Sequence, residues 1–288
     1  LGFTFFSASM WVGQQLADGL DFWGFLGSLI LGGIILGIYT GLLGYVGAKT
    51  GLSLDLLSQR AFGEKGSYLP SAMTSFTQIG WFGVGSFVSG GTATPNFARF
   101  AKDGKAGAIT TVVAFFIGNS LMFFFGAVSS IFVGGNDIFE VMVRLNLFYL
   151  AVLVLGLNIW TTNDNALYTA GLGLANIFHQ RKKPMVLLSG IIGTVASVWL
   201  YYNFCGWLNI LNCTLPPVGM ILVLAYFMNK EDFETDQPKL KTIDWFAVAG
   251  VILGAIVANL LHWGIASING MVVAAVCYCV GQAVNKRK

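Results

Sequence analysis

Charge is scarce in this sequence. Only 10% of its 288 residues are Asp, Glu, Lys or Arg, too few to coat a soluble domain of that length. Histidine is scarcer still: His179 and His262 are the only two, and neither has an acidic or cysteine companion on its own stretch. An enzyme needs a nucleophile, a base or a metal cluster, and that chemistry is missing here. The four cysteines, Cys205, Cys213, Cys277 and Cys279, sit in or beside apolar stretches with no His or acid at metal spacing. They read as small packing residues. No signal peptide is visible, and Leu1 begins in mid-segment, so the true amino terminus is expected to be absent.

What is abundant is apolar. Hydrophobic residues make up 56% of the chain and mean hydropathy is +0.73. A bilayer core about 30 Å thick takes roughly 20 apolar residues per helix, and stretches of that length recur along nearly the whole chain. The runs are continuous rather than alternating, which predicts helices and excludes an outer-membrane barrel. Residues 1–288 therefore form one all-α transmembrane domain.

The few basic residues set the topology. They fall into five clusters: Lys49, Arg60 and Lys65; Arg99, Lys102 and Lys105; Arg181, Lys182 and Lys183; Lys230, Lys239 and Lys241; and Lys286, Arg287 and Lys288. Inner loops are rich in Lys and Arg, so all five are placed inside, and the chain crosses an even number of times between them. Spans at 106–132 and 147–177 satisfy this, joined by an outer loop with Asp137, Glu140 and Arg144. So do 184–204 and 207–229, turning near Cys205-Gly206, and 245–263 and 267–284, turning near His262. Residues 22–48 descend to the first cluster, and Leu52 to Phe62 reads as an amphipathic helix on the inner surface. Between Lys65 and Arg99 the rule fails, because residues 66–98 are too few for two crossings and a connection. This stretch is either re-entrant or interrupted by an omission, which would lie between Gly85 and Ser86.

Polar side chains within spans are costly in hydrocarbon and point to a site. Asn158, Thr161, Thr162 and Asn165 are three, four and seven residues apart, so they form one stripe on a helix. Adjacent hydroxyls suit a hard monovalent cation, and an asparagine amide offers a ligand both a donor and an acceptor. A helix–helix hydrogen-bonding seam would use the same residue types. Asp164 lies off the stripe, either as a proton-relay acid or as a group near inner water. Gln78 and Trp81 share a face, an amide beside a large aromatic ring, as a flat hydrogen-bonding heterocycle requires. Trp81 alone could equally mark a membrane interface. Residues 86–95 and 6–13 mix glycine with small hydroxyl residues, and proline ends the former. Both make poor continuous helices, and broken helices at matching places in two halves mark transporter sites. No charged residue lies on the candidate faces, which favours a neutral substrate.

The strings at residues 1–11, 36–51, 77–85, 115–123 and 155–168, with 191–195 and 216–219, resemble the nucleobase–cation symporter-1 family along essentially the whole chain. The run Leu-Gly-Leu-Asn-Ile-Trp-Thr-Thr-Asn-Asp-Asn-Ala-Leu-Tyr at 155–168 is the most specific. The resemblance implies an inverted repeat of five plus five helices with two further helices, the first and sixth broken. Here the end of the third helix, the fourth and fifth, and the start of the sixth would be missing. The family often has an acid where this chain has Asn96. By resemblance, a neutral nucleobase, cytosine foremost, would lie between Trp81 and Phe87. It would be held by Gln78 and Asn158 with help from Ser86, Ser89 and the backbone near Ser7. A co-transported sodium ion would bind the carbonyls of Phe6, Ser9 and Asn158 and the hydroxyls of Thr161 and Thr162. The implied protein is a monomeric symporter of the bacterial inner membrane, surrounded by lipid, working by alternating access and binding no nucleic acid. Uracil, a purine, hydantoin or allantoin as substrate, and proton coupling through Asp164, remain open, as does an ion channel outside the family.

Overall fold

A computed structural model describes residues 10, 12–14, 16, 19–84, 92–134, 138–235, 238, 240–261 and 263–285. All regular structure among them is helical. Helix α1 (Phe22–Thr50) starts at Asp21, whose carboxylate accepts from Gly24 N, and ends at Gly51 with φ 68°. That left-handed conformation suits glycine and stops the helix. The short helix α2 (Leu54–Phe62) is capped by Ser53 and buries Leu54, Leu57, Ala61 and Phe62, the one-sided stripe expected of an amphipathic helix. Helix α3 (Tyr68–Val84) is followed by the single turn α4 (Pro95–Ala98).

Helix α5 (Gly104–Val133) contains a π-helical stretch at Val113–Gly118. The outer loop holds α6 (Ile138–Arg144), where Arg144 pairs with Glu140 at 2.6 Å. Then come α7 (Phe148–Phe178), α8 (Lys182–Tyr202), α9 (Phe204–Met228), the short α10 (Lys230–Glu234), α11 (Trp245–Leu260) and α12 (Ala266–Asn285). Among the described residues, five stretches, in α1, α5, α8, α9 and α12, are long and apolar enough to cross a membrane. The break between α8 and α9 falls at Asn203, slightly before the predicted turn at Cys205-Gly206. His262 lies outside the described residues.

Large apolar side chains such as Phe132 and Val195 stand exposed on the helices, as lipid-facing residues do. Inside, small residues let backbones meet. A β-carbon on Gly254 would fall 2.6 Å from the carbonyl oxygen of Gly270, and Pro217 fills the notch beside both glycines. Leu43 and Val46 of α1 pack with α2, with Val218, Ile221, Leu222 and Tyr226 of α9, and with α11 and α12 in one core.

Four of the basic clusters gather at one end. Arg60 donates to the carbonyls of Asp232 and Thr235, and Lys65 N donates to Thr242 O. Arg99 donates to the Tyr168 hydroxyl, and the Lys182 ammonium lies 3.5 Å from the Tyr168 ring centroid. His179 meets Tyr68 at 2.7 Å there. Both α3, starting at Tyr68, and α4, whose Asn96 Oδ1 accepts from Leu54 N at 2.8 Å, belong to this end. Residues 68 and 96 thus lie at the same end, and the described residues between them hold the 17-residue helix α3.

Candidate substrate and ion site

Helix α3 is fastened to α7 by small polar contacts. Ser75 donates to Ala170 O at 3.1 Å, and a β-carbon on Gly173 would collide with Ser75 Oγ. At the end where the basic clusters gather, Asn176 donates to Ser67 and Ser71, and Gln59 donates to Asn176 Oδ1 at 2.6 Å. Ser71 in turn donates to the buried carboxylate of Asp55 at 2.6 Å. Burial raises the Asp55 pKa to about 6, against the opposing pull of the Ser71 hydroxyl, its own backbone and the Arg99 charge.

On this anchored helix Gln78 is fully buried, and no group among the described residues matches either its amide nitrogen or its carbonyl oxygen. Its neighbours Thr74 and Thr77 give their hydroxyl protons to Pro70 O and Met73 O, so neither donates to the Gln78 carbonyl oxygen. An unmatched buried amide costs about 1–3 kcal/mol, so it is poorly explained by packing. Trp81 lies on the same helix, three residues on; its side chain is outside the described atoms.

On α7 three of the four stripe residues have described side chains. Asn158 and Asn165 are half-buried and Thr162 is 1% exposed, with its hydroxyl donating to Asn158 O at 3.0 Å. Thr162, Ala166, Thr169 and Ala170 continue one buried side of α7, the side that reaches Ser75 of α3. Gln78 and Asn158 therefore sit on helices in direct contact, with no bond between the two amides. The Thr161 side chain is outside the described atoms. Phe6, Ser7, Ser9, Ser86, Phe87 and Ser89 lie outside the described residues. Asp164 is on the exposed side of α7, away from the buried stripe. Asn96 is fully buried at the end where the basic clusters gather.

Two residues escaped the sequence reading. Trp207 of α9 is 4% exposed and lies against α3: a β-carbon on Gly80 would fall 2.3 Å from its Cζ2, and its ring meets Phe76 edge-on at 4.6 Å. The signal was Gly80, the small residue next to Trp81. Gln14 is 2% exposed, again with both amide atoms unmatched. Its signal was an amide within an apolar run. Among the described residues no group of His, Cys, Asp and Glu could hold a metal ion.

The family model for permeases for cytosine/purines, uracil, thiamine and allantoin matches residues 2–92 and 84–284. The two matches overlap over residues 84–92. The cytosine permease of Escherichia coli strain K12 is 36% identical over 381 aligned residues, covering 100% of this chain and 90% of the relative. That alignment is longer than the 288 residues present, so the relative carries a stretch that this chain lacks. The allantoin permease of Bacillus subtilis strain 168 is 34% identical over 82 residues, 28% of this chain and 16% of that one. Among solved structures, Mhp1, a nucleobase-cation-symport-1 family transporter, in a closed conformation with bromovinylhydantoin bound, superposes with TM-score 0.78 at 15% identity. It covers 98% of this chain and 90% of Mhp1. The inward-facing conformation of Mhp1 gives TM-score 0.71 at 14% identity, over 99% and 86% of the two chains. The fold is that of these five-plus-five inverted-repeat transporters, with central helices missing, and the relatives are permeases rather than enzymes. This chain belongs to the family of permeases for cytosine and purines, uracil, thiamine and allantoin.

Proposed function

We propose that this protein imports a neutral nucleobase, cytosine foremost, together with a sodium ion. It does so across the bacterial inner membrane as a single lipid-embedded domain acting as a monomer. The observation that carries this reading is Gln78, a fully buried amide with a donor and an acceptor that nothing among the described residues satisfies. A heterocycle whose edge offers an acceptor beside a donor completes it. In this reading Trp81 and Phe87 hold the faces of the base, and Asn158, Ser86, Ser89 and the backbone at Ser7 complete its edges. A protein interior without a facing charge suits a base that is itself uncharged.

Sodium binds where the first helix meets α7, to the carbonyls of Phe6, Ser9 and Asn158 and the hydroxyls of Thr161 and Thr162. Asn158 then serves both ligands, its backbone oxygen the ion and its side chain the base. Ion binding fixes the amide that the base needs, and by linkage the base strengthens the ion site equally. In this reading the missing stretch belongs between Gly85 and Ser86.

The test is radiolabelled cytosine uptake into proteoliposomes under opposed sodium and proton gradients. The proposal expects uptake to follow sodium, to lose that dependence in Thr161→Ala with Thr162→Ala, and to keep it in Asp164→Asn. Uptake indifferent to sodium removes the coupling claim. Dependence on the proton gradient that Asp164→Asn abolishes would assign the coupling to that acid instead.

A further inference from the structure

Among the described residues, Gln14 and Gln78 are the two side chains whose amide nitrogen and carbonyl oxygen are both buried and both unmatched. Gln78 has a role in the function proposed above; Gln14 has none yet. Leucine would fill similar space at position 14 without that cost, so packing gives no reason for an amide there.

The surroundings of Gln14 fix its place. Met10, Val12, Gly13, Gln14 and Leu16 are helical. A β-carbon on Gly13 would fall 2.2 Å from Phe123 O, and one on Gly126 would fall 2.1 Å from Met10 O. The helix is thus pressed backbone to backbone on α5, leaving Gln14 little freedom to turn elsewhere. Leu16 lines an apolar cavity of about 390 Å³ with Leu29, Phe123 and Pro216. Two residues correspond to about 200° on a helix, so Gln14 lies on nearly the opposite side from that apolar cavity.

The helices that carry the two amides meet one packing cluster. Leu200, Trp207, Leu211 and Leu215 pack together, with Phe123 and Met73 against them. Phe123 is the residue whose backbone meets Gly13, beside Gln14. Trp207 is the residue that meets Gly80, two positions from Gln78. The helix that carries Gln14 and helix α3 therefore border the same cluster from two sides.

We propose that Gln14 is a second substrate-binding residue, whose amide pairs with the base alongside Gln78 and sharpens the choice between bases. This rests on the nucleobase reading. A primary amide presents a donor and an acceptor together, so it favours ring edges that carry the complementary pair and rejects those that cannot offer it.

The experiment compares the wild-type chain with Gln14→Leu and Gln78→Leu in detergent, by equilibrium binding of labelled cytosine, competition with uracil, and thermal unfolding. Gln14→Leu is expected to weaken cytosine binding about tenfold, the loss of roughly one net hydrogen bond. The cytosine-to-uracil preference should narrow, and the melting temperature should hold or rise, because an unmatched polar group is removed. A structural role predicts the reverse for stability. Unchanged affinity and preference, or a lowered melting temperature, overturns the assignment of Gln14. If wild-type protein binds no base, the nucleobase reading itself falls and Gln14 with it. If wild type binds and only Gln78→Leu abolishes binding, the reading stands and Gln14 alone is refuted.

Discussion

Thr162 donates its hydroxyl to the carbonyl oxygen of Asn158 at 3.0 Å, one turn earlier on α7. Both oxygens are proposed sodium ligands, so this hydrogen bond holds them together before the ion arrives. Sodium then needs only the hydroxyl proton to rotate away. Thr162→Val keeps the shape and removes the ligand. It should raise the sodium concentration for half-maximal uptake about tenfold or more, while stability changes by no more than about 1 kcal/mol. Sodium titration of uptake and a melting curve check the two halves.

Gly80 exists because Trp207 needs its space. A β-carbon there would lie 2.3 Å from Cζ2 of the indole. Gly80→Ala should destabilise the protein by about 1–3 kcal/mol through overpacking. Trp207→Phe should recover part of that loss in the double variant, a coupling that thermal unfolding of all four proteins measures.

Tyr39 and Gly219 form a second tight pair. The Tyr39 hydroxyl bonds Thr92 Oγ1 at 2.8 Å, and a β-carbon on Gly219 would collide with that hydroxyl. Gly219→Ala must push Tyr39 away from Thr92, which begins the short stretch leading into α4. Lower thermal stability is expected, with partial rescue by Tyr39→Phe, which frees the space that the hydroxyl takes.

Asp55 makes stability depend on pH. Burial holds its folded-state pKa at about 6, above the ordinary 3.8. The folded protein therefore binds this proton more tightly than the unfolded chain. The contribution is fully present below 3.8 and is lost as pH rises through about 6. The amount at stake is on the order of 3 kcal/mol. Melting curves across that window should show wild type losing stability relative to Asp55→Asn, with the difference constant above it.

Much of the fold was legible because lipid imposes simple rules. The basic clusters predicted which loops share an end, and Arg60, Arg99 and Lys182 do meet partners there. Residues 66–98 could not be parsed as two full spans, and a relative has chain that this one lacks. The α7 stripe followed from spacing alone. Gln14 and Trp207 were not legible, since their significance lies in what they fail to bond and what they touch across helices, which no single stretch displays. Pro216 and Pro217 would normally interrupt a helix, yet they sit within α9, where Gly254 and Gly270 make room for Pro217.

The central claim is that an amide buried in hydrocarbon waits for a base. Equilibrium binding of labelled cytosine to purified wild type and Gln78→Leu in saturating sodium measures it directly. The account predicts specific binding by wild type and a loss of about a hundredfold or more in the variant, whose melting temperature does not fall. Equal binding by the two proteins would contradict it.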